Sequence, residues 1–562
     1  MSDGDESRRP GWVAWLPLIA IILVFAAWGL THLGGTYWDT DEGLNLTKAR
    51  MLQLGYGLYS EIWADQPPGL TSLLAGAFAV FGPTVQVARA VVLAHALVGL
   101  VAVAWIAREA GGGVLGAIAA AALLAISPNF AWASRAVMIG LPALSLATLA
   151  IALSLTYSRT RNRTWLAACG LALGLGLTEK LIGAYLLVPI ALAVVLPSSR
   201  DTCSPDDSER DNSSRGGSSW ADFSVRRALA DLAIVAVFAA LPAAVALVAF
   251  DARAMTDQVI GVVLRARDAY AYELAWSVDK LGEYLLGDHL LIVGPALYGA
   301  LWSLRQRSIA ASVLLSWLAL TIAVLLTQSP LWPKHHFLAL LIALAPLAGL
   351  GVAEAWRAAT AMIARARGAV PETPGDGVDD ASGAGAQPFG WGSALWAAVG
   401  VVALLAMAIG LPPAMEADAV RAAAAPYKAS GKLPKSEAYL HMDEAVAMLR
   451  DATEPDDFVI TDQGMIAFQS GRRVPPELCV ISGKRIAVGD LTVDDLLASE
   501  ERYQPAAVLL WEGDRLSRDE LAPYGDHVRA TFDLAGRIGD LYELYVPRDG
   551  PAAGAPPSTG SQ

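Results

Sequence analysis

The chain has 562 residues, of which 55% are hydrophobic and 17% charged, with a formal net charge of -13. That balance puts it among polytopic membrane proteins and argues against a nucleic-acid partner, whose phosphates need a cationic surface. Three scattered cysteines, Cys169, Cys203 and Cys479, exclude a disulfide framework, and no pair has metal-ligand spacing.

The N-terminal stretch sets Arg8 and Arg9 before an apolar run at 11–32. A cleaved signal peptide starts in a similar way. This run has roughly spanning length and no small-x-small site follows it, so it reads as a retained first span. Further apolar runs lie at 86–107, 112–130, 140–157, 164–177, 181–197, 228–250, 287–304, 309–327, 337–356 and 392–413. Counted by the spanning rule they predict a polytopic α-helical membrane protein of about eleven transmembrane helices. The run at 67–82, "PPGLTSLLAGAFAVFG", opens on two prolines and is too short to span. It reads as an interfacial or re-entrant helix on the outer face.

This count places Arg108, Arg159, Arg161, Arg163, the arginines of 200–227, Arg305, Arg307, Arg357, Arg365 and Arg367 in loops on one side. The positive-inside rule makes that side, and the N-terminus, cytoplasmic. The Ser-, Gly-, Pro- and Asp-rich stretches 198–227 and 368–390 read as disordered cytoplasmic linkers within a membrane module at 1–413. From 414 to 562 the composition is that of a soluble unit with a disordered tail. "SEAYLHMDEAVAMLRDA" reads as an amphipathic helix, and "DFVITD", "AAVLLW" and "LYELYV" as strands. An odd number of spans puts this α/β domain outside the membrane, with Cys203 inside and Cys479 outside. Its acids show no metal or nucleophile pattern, so a lid or scaffold is the plainer role.

The loop after the first span, 34–85, carries "TYWDTDEGLNL", where Asp39, Asp41 and Glu42 crowd together. A solvated acidic surface loop is the plain account. The sequence that follows, "ARMLQLGYGLYSEIWADQPPGL", is aromatic and apolar and folds back over the bilayer. These elements, with "SPNFAWASRAVMIGLP" and "GLGLTEK" further on, carry a resemblance. In order and topology they are similar to the polyprenyl-phosphate-sugar-dependent membrane glycosyltransferases of the GT-C class. The nearest are the families of protein O-mannosyltransferases and of the aminoarabinose transferase of lipid A. The likeness covers residues 10–200 well and 330–413 loosely.

The resemblance implies a GT-C-like fold and an inverting glycosyltransferase, a hexosyl or pentosyl transferase of the cell envelope. It would take sugar from a polyprenyl-phosphate donor to a protein, lipid or glycan acceptor on the outer face of the cell membrane. Asp41, at the first acid of the family's pair, would take the acceptor proton, and Glu42 would orient the acceptor or tune Asp41. Asp39 would join them if a divalent cation, magnesium or manganese, is held. The leaving phosphate needs cations. Arg135 in "WASRAVMIG", Lys180 in "LTEKLIG", and Lys334, His335 and His336 in "WPKHHF" sit at outer ends of spans. Two of them have a plainer account: a snorkelling Arg135, and a Lys180 neutralised by Glu179. His95 and His289 read as packed or interfacial, and Arg265, Arg267 and Asp268 as part of a surface helix. One position departs from the pattern. Gly140 stands where the family commonly has an acid after the "R..M" element, which removes one ligand that metal or acceptor binding would use.

Two other classes compete. A lipid-linked-sugar transporter or flippase would carry charges near the midplane and inverted repeats. Here the charges gather at the outer ends. A non-catalytic membrane scaffold would tolerate neutral residues in place of the loop acids. "DTD" at 39–41 spells D-x-D but lies in a membrane loop, which disfavours nucleotide-sugar binding.

Overall fold

Glycine, proline and paired charges cut the long apolar runs into a helical bundle. The computed structural model describes residues 11–34, 39–196, 219–266, 273–287, 289–306, 308–328, 331–366, 441–511 and 515–548. The expected last span 392–413, linker 368–390, most of linker 198–227, Cys203, Arg267 and Asp268 lie outside these residues.

Helix α1 (Leu16–Thr31) follows a 3-10 turn at Gly11–Trp15. Helix α2 (Thr40–Gln53) starts where the Asp39 carboxylate accepts a hydrogen bond from the Asp41 N–H at 3.1 Å. Helix α3 (Gly69–Phe81) has only thirteen residues, too few to span, as expected for 67–82. Helices α4 (Val85–Ala107) and α5 (Gly113–Ala125) are parted at Gly111, whose φ of 99° is open to glycine but costly for other residues. Ser127 and Pro128 then open a separate short helix, α6 (Pro128–Ala133). Helices α7 (Gly140–Thr160), α8 (Thr164–Glu179) and α9 (Leu187–Val195) follow. Lys180 is extended between α8 and a 3-10 turn at Leu181–Leu186.

Helix α10 (Ser219–Ala249) begins inside the stretch read as linker, so that linker is shorter than expected. Next come α11 (Ala252–Thr256), α12 (Val262–Arg265), α13 (Leu274–Leu286), α14 (Leu290–Arg305), α15 (Ile309–Thr327) and α16 (Pro333–Ala366). Among the described residues, six helical segments are long and apolar enough to cross a membrane, or seven if the pair α13 and α14, bent by 100°, forms one span. The expected eleven are not reached there: α4 and α5 run on as one 41-residue segment, α8 and α9 are short on either side of Lys180, and the run at 392–413 lies outside the described residues. Burial sorts the bundle: 89% of the apolar window is buried in α16 and 83% in α7, against 17% in α1 and 6% in α10. The first pair forms the interior and the second the periphery.

Charges separate to the two ends. At one end Arg108 and Arg159 face the buried Glu109, at 3.7 and 3.2 Å, and Arg163 and Arg227 face Asp231, at 2.8 and 3.8 Å. Arg357 donates to the Gly111 carbonyl at 2.6 Å beside them. These are the arginines expected on the cytoplasmic side. At the other end lie α2, the α6–α7 loop, Lys180, the start of α16 and a C-terminal unit.

That unit contains α17 (Met442–Ala452), β1 (Val459–Thr461), α18 (Gly464–Ser470), α19 (Gly483–Ala487), α20 (Val493–Tyr503), β2 (Ala507–Trp511), α21 (Ala522–Thr531), β3 (Phe532–Ile538) and β4 (Tyr542–Pro547). The four strands form one sheet in the order β1-β2-β4-β3, parallel at β1–β2 and antiparallel elsewhere. Strand β3 was not expected from the sequence. The unit docks on α2, α3 and the loop between them. Backbones of α2 and α18 approach at Gly43 and Gly464 so closely that a Cβ on Gly43 would lie 2.4 Å from the Met465 nitrogen. Phe78 of α3 packs on Phe468, and Arg485 lies over the Trp63 ring at 4.9 Å.

Candidate active site

A cavity of about 360 Å³ opens between the α2 end of the bundle and the C-terminal unit. Asp39 and Asp41 enter it from the start of α2, Lys48 from the same helix, and Asp65 from the "DQPP" loop. Lys180 enters from the α8 break, His335 and His336 from α16, and Lys484 and Arg515 from the C-terminal unit.

The loops around it are fixed by specific bonds. The Glu42 carboxylate is fully buried and accepts two hydrogen bonds from Arg89 of α4, at 2.7 and 2.8 Å, and a third from the Val137 N–H at 3.0 Å. The side chain of Asn45, one turn along α2, donates to the Val137 carbonyl at 2.8 Å. Helix α2 thus grips both polar groups of Val137, which seats Met138, Ile139 and Gly140 on the cavity wall. Across the site, Gln258 accepts from the Ala64 N–H and donates to the Tyr59 carbonyl, both at 2.9 Å, and the Tyr59 hydroxyl donates to the Gln66 carbonyl at 2.7 Å. These bonds hold Asp65 and Gln66 in place.

Asp41 is open to the cavity, but protein surrounds it closely. Burial, reinforced by the nearby Asp39 charge, holds its carboxyl above the usual carboxylate range, against the pull of His335 and Arg515. Asp39 faces His335 at 3.5 Å. His336 accepts the Trp332 N–H on Nδ1 at 3.1 Å, which leaves Nε2 to carry the proton. Lys48 is only 2% exposed, and burial pushes its ammonium down, partly offset by Asp65 and Asp41. Burial likewise pushes Lys180 down, with Asp41 opposing.

Of the residues expected from the sequence, Asp39, Asp41, Lys180, His335 and His336 come together on the cavity. Glu42 and Arg135 do not line it. Both oxygens of Glu42 are taken by Arg89. Arg135 stacks over Trp28 of α1 at 4.4 Å and donates to the His32 carbonyl at 3.3 Å, with burial pushing its guanidinium down to about 10. Lys334 lies in the first turn of α16, and its side chain is outside the described residues. Glu179 pairs with His95 at 3.2 Å rather than with Lys180. His289 is buried and stacks on Tyr284 at 4.0 Å. Among the described residues no three of His, Cys, Asp and Glu gather as metal ligands. With Glu42 turned onto Arg89, the set Asp39, Asp41 and Glu42 does not fit a divalent cation.

Sequence reasoning missed Lys48, Asp65, Lys484 and Arg515 as site residues. Asp65 had a signal, as the acid of "DQPPG". Lys48 had a weaker one, a cation less than two turns after Asp41 on the same helix. Lys484 and Arg515 had none, since only the docking of the C-terminal unit brings them to the cavity.

Residues 65–204 match the family model described as dolichyl-phosphate-mannose-protein mannosyltransferase. No curated protein matches the sequence. The fold is similar to that of ArnT from Cupriavidus metallidurans bound to undecaprenyl phosphate, with a TM-score of 0.58 and 15% identity over 95% of this chain and 98% of that one. The same protein in the apo state gives 0.56 and 15%, over 95% and 97%. The oligosaccharyltransferase AglB from Archaeoglobus fulgidus, in complex with an inhibitory peptide and a dolichol-phosphate, gives 0.47 and 13%, over 89% and 70%. The resemblance to GT-C glycosyltransferases that the sequence suggested is borne out.

Proposed function

We propose that this protein is an inverting glycosyltransferase that moves a sugar from a polyprenyl-phosphate donor to an acceptor on the outer face of the membrane. The observation that carries the reading is the cavity itself, where Asp41, a carboxylate of raised proton affinity, faces Lys180, His335 and His336 at the membrane surface. The undecaprenyl phosphate named for the similar ArnT structure supports the choice of donor.

In the proposed reaction the acceptor's hydroxyl or amine gives its proton to Asp41 as its oxygen or nitrogen bonds to the anomeric carbon. The bond from that carbon to the phosphate oxygen breaks, and the electron pair leaves with the lipid phosphate. A base near its working range serves such a step best. Lys180 and the Nε2–H of His336 receive the growing charge on the phosphate. Glu42 does not touch the reactants in this scheme; through Arg89 and Val137 it positions Asp41 and the α6–α7 loop. Arg135 stays with Trp28 and is not assigned to the phosphate. The lipid tail lies among the membrane helices, and the acceptor enters from the exterior, beside the C-terminal unit.

Purified protein incubated with a panel of polyprenyl-phosphate sugars should bind one of them and, with a cell-envelope extract supplying acceptor hydroxyls and amines, consume it, read as free polyprenyl phosphate by mass spectrometry. Failure to consume or bind any donor lipid would remove this reading.

A further inference from the structure

Three lysines from three separate parts of the chain converge on the cavity. Lys48 comes from α2, Lys180 from the break after α8, and Lys484 from α19 of the C-terminal unit. Among the described residues the ammonium group of none of the three makes a hydrogen bond or has a carboxylate within 4 Å. Lys48 is moreover 98% buried, being only 2% exposed. Asp41 and Asp65 oppose the burial of Lys48 and Lys180 only from a distance, and Lys180 and Lys484 lie near enough to repel each other, so ammonium groups with no carboxylate in contact remain unfavourable here. A protein that gathers such groups at one cavity gains from an anion placed among them.

Lys484 is held there deliberately. Its neighbour Arg485 turns the other way, over Trp63 of the outer loop, and donates to the carbonyls of Val480 and Asp490, each at 3.2 Å. Ser482 caps the short helix by accepting from the Arg485 N–H, also at 3.2 Å. The segment 480–485 is therefore fastened to both the outer loop and its own unit, and Lys484 is left on the cavity wall within charge range of Lys180.

We propose that Lys484 of the C-terminal unit, with Lys48 and Lys180, forms a three-cation clamp for the phosphate of the donor lipid. The unit then supplies part of the donor site instead of covering it. This rests on the function proposed above and adds a phosphate contact from outside the membrane bundle. The clamp spans the boundary between bundle and unit, so a bound phosphate also fastens the two together.

The test measures binding of polyprenyl phosphate, polyprenol of the same tail, and inorganic phosphate to the full-length purified protein. Wild type should prefer polyprenyl phosphate to polyprenol. Lys484→Gln should lose about ten- to a hundred-fold in affinity for polyprenyl phosphate, the worth of one charge-assisted hydrogen bond. Its polyprenol binding and its melting temperature without ligand should stay as in wild type. Lys484→Arg, which keeps the charge, should retain most of the affinity. Wild-type affinity for polyprenyl phosphate in Lys484→Gln would overturn the clamp while leaving the proposed function standing. A wild-type protein indifferent to the lipid phosphate would overturn both. Inorganic phosphate binding as tightly as the lipid, with the same loss in Lys484→Gln, would assign the clamp to free phosphate and overturn its donor role.

Discussion

Two adjacent carboxylates, Asp41 and Glu42, have opposite fates, and substitution should separate them. Asp41 faces the cavity with a raised pKa. Asp41→Asn keeps its size and removes the base, so transfer should slow by about a hundred- to ten-thousand-fold with donor binding retained. The sign for stability follows from linkage. A carboxyl whose pKa is raised on folding favours the folded state below its unfolded value, and that contribution is lost as pH rises through the folded value. Above that folded value the charged Asp41 opposes the folded state, and Asp41→Asn should raise the melting temperature there, with the gain vanishing in acid. The transfer rate of wild type should fall on acidification at a higher pH than an ordinary aspartate would give. An Asp41→Asn protein with the wild-type rate would end the assignment of the base.

Glu42 is buried on Arg89. Removing one partner of a buried pair typically costs about 3–5 kcal/mol, because the other charge is left unpaired. Glu42→Gln should lower stability on that scale, measured by thermal or denaturant unfolding, and lose activity through the fold. A Glu42→Gln protein of normal stability but no activity would instead return this residue to the chemistry.

At the scale of elements, the contact of α2 with α18 decides whether the site is assembled. Gly43 directly follows Glu42, and its missing side chain lets the Gly464–Met465 backbone come close. Gly43→Ala has to push that backbone away. Overpacking of this kind costs about 1–3 kcal/mol. The expected result is faster hydrogen exchange in residues 464–470 and reduced transfer, with the membrane helices unchanged. Exchange in 464–470 as slow as in wild type would show that the interface gives without cost.

Helix ends tell a similar story. The apolar runs predicted most of the helices, but not where α5 stops or that α8 and α9 flank an extended Lys180. Hydropathy is continuous across such breaks. What sets them is a local backbone event, Pro128 or a 3-10 turn. In the C-terminal unit three strands were legible from their apolar alternation or runs. Strand β3 was not, because "FDLAGRI" is largely exposed and carries a bulge near Gly536. It is a strand because β4 offers it an edge.

For the whole molecule, the arginine-bearing end and the cavity end are opposite, as the topology proposed from the positive-inside rule requires. An impermeant thiol reagent on intact cells should leave Cys203 unmodified and should modify Glu501→Cys, placed on an exposed position of α20. Cys479 is a poor probe: it is buried, and burial pushes its thiol up to about 12, so it should not react from either side. Labelling of Cys203 from outside would reverse the topology and move the site to the wrong face.

Composition and hydropathy alone determined that this is a polytopic helical protein, which residues are dipped in apolar surroundings, and that acids and cations gather at the ends of its spans. These are properties of each stretch of chain against its solvent, so they are written locally. Which charges meet was decided by tertiary structure. Glu42 finds Arg89 forty-seven residues away, and Lys484 reaches the cavity only because a separate unit docks on α2. The energy of a buried charge depends on the partner a few ångströms off and on the water excluded around it, and no spacing in the sequence encodes that neighbour.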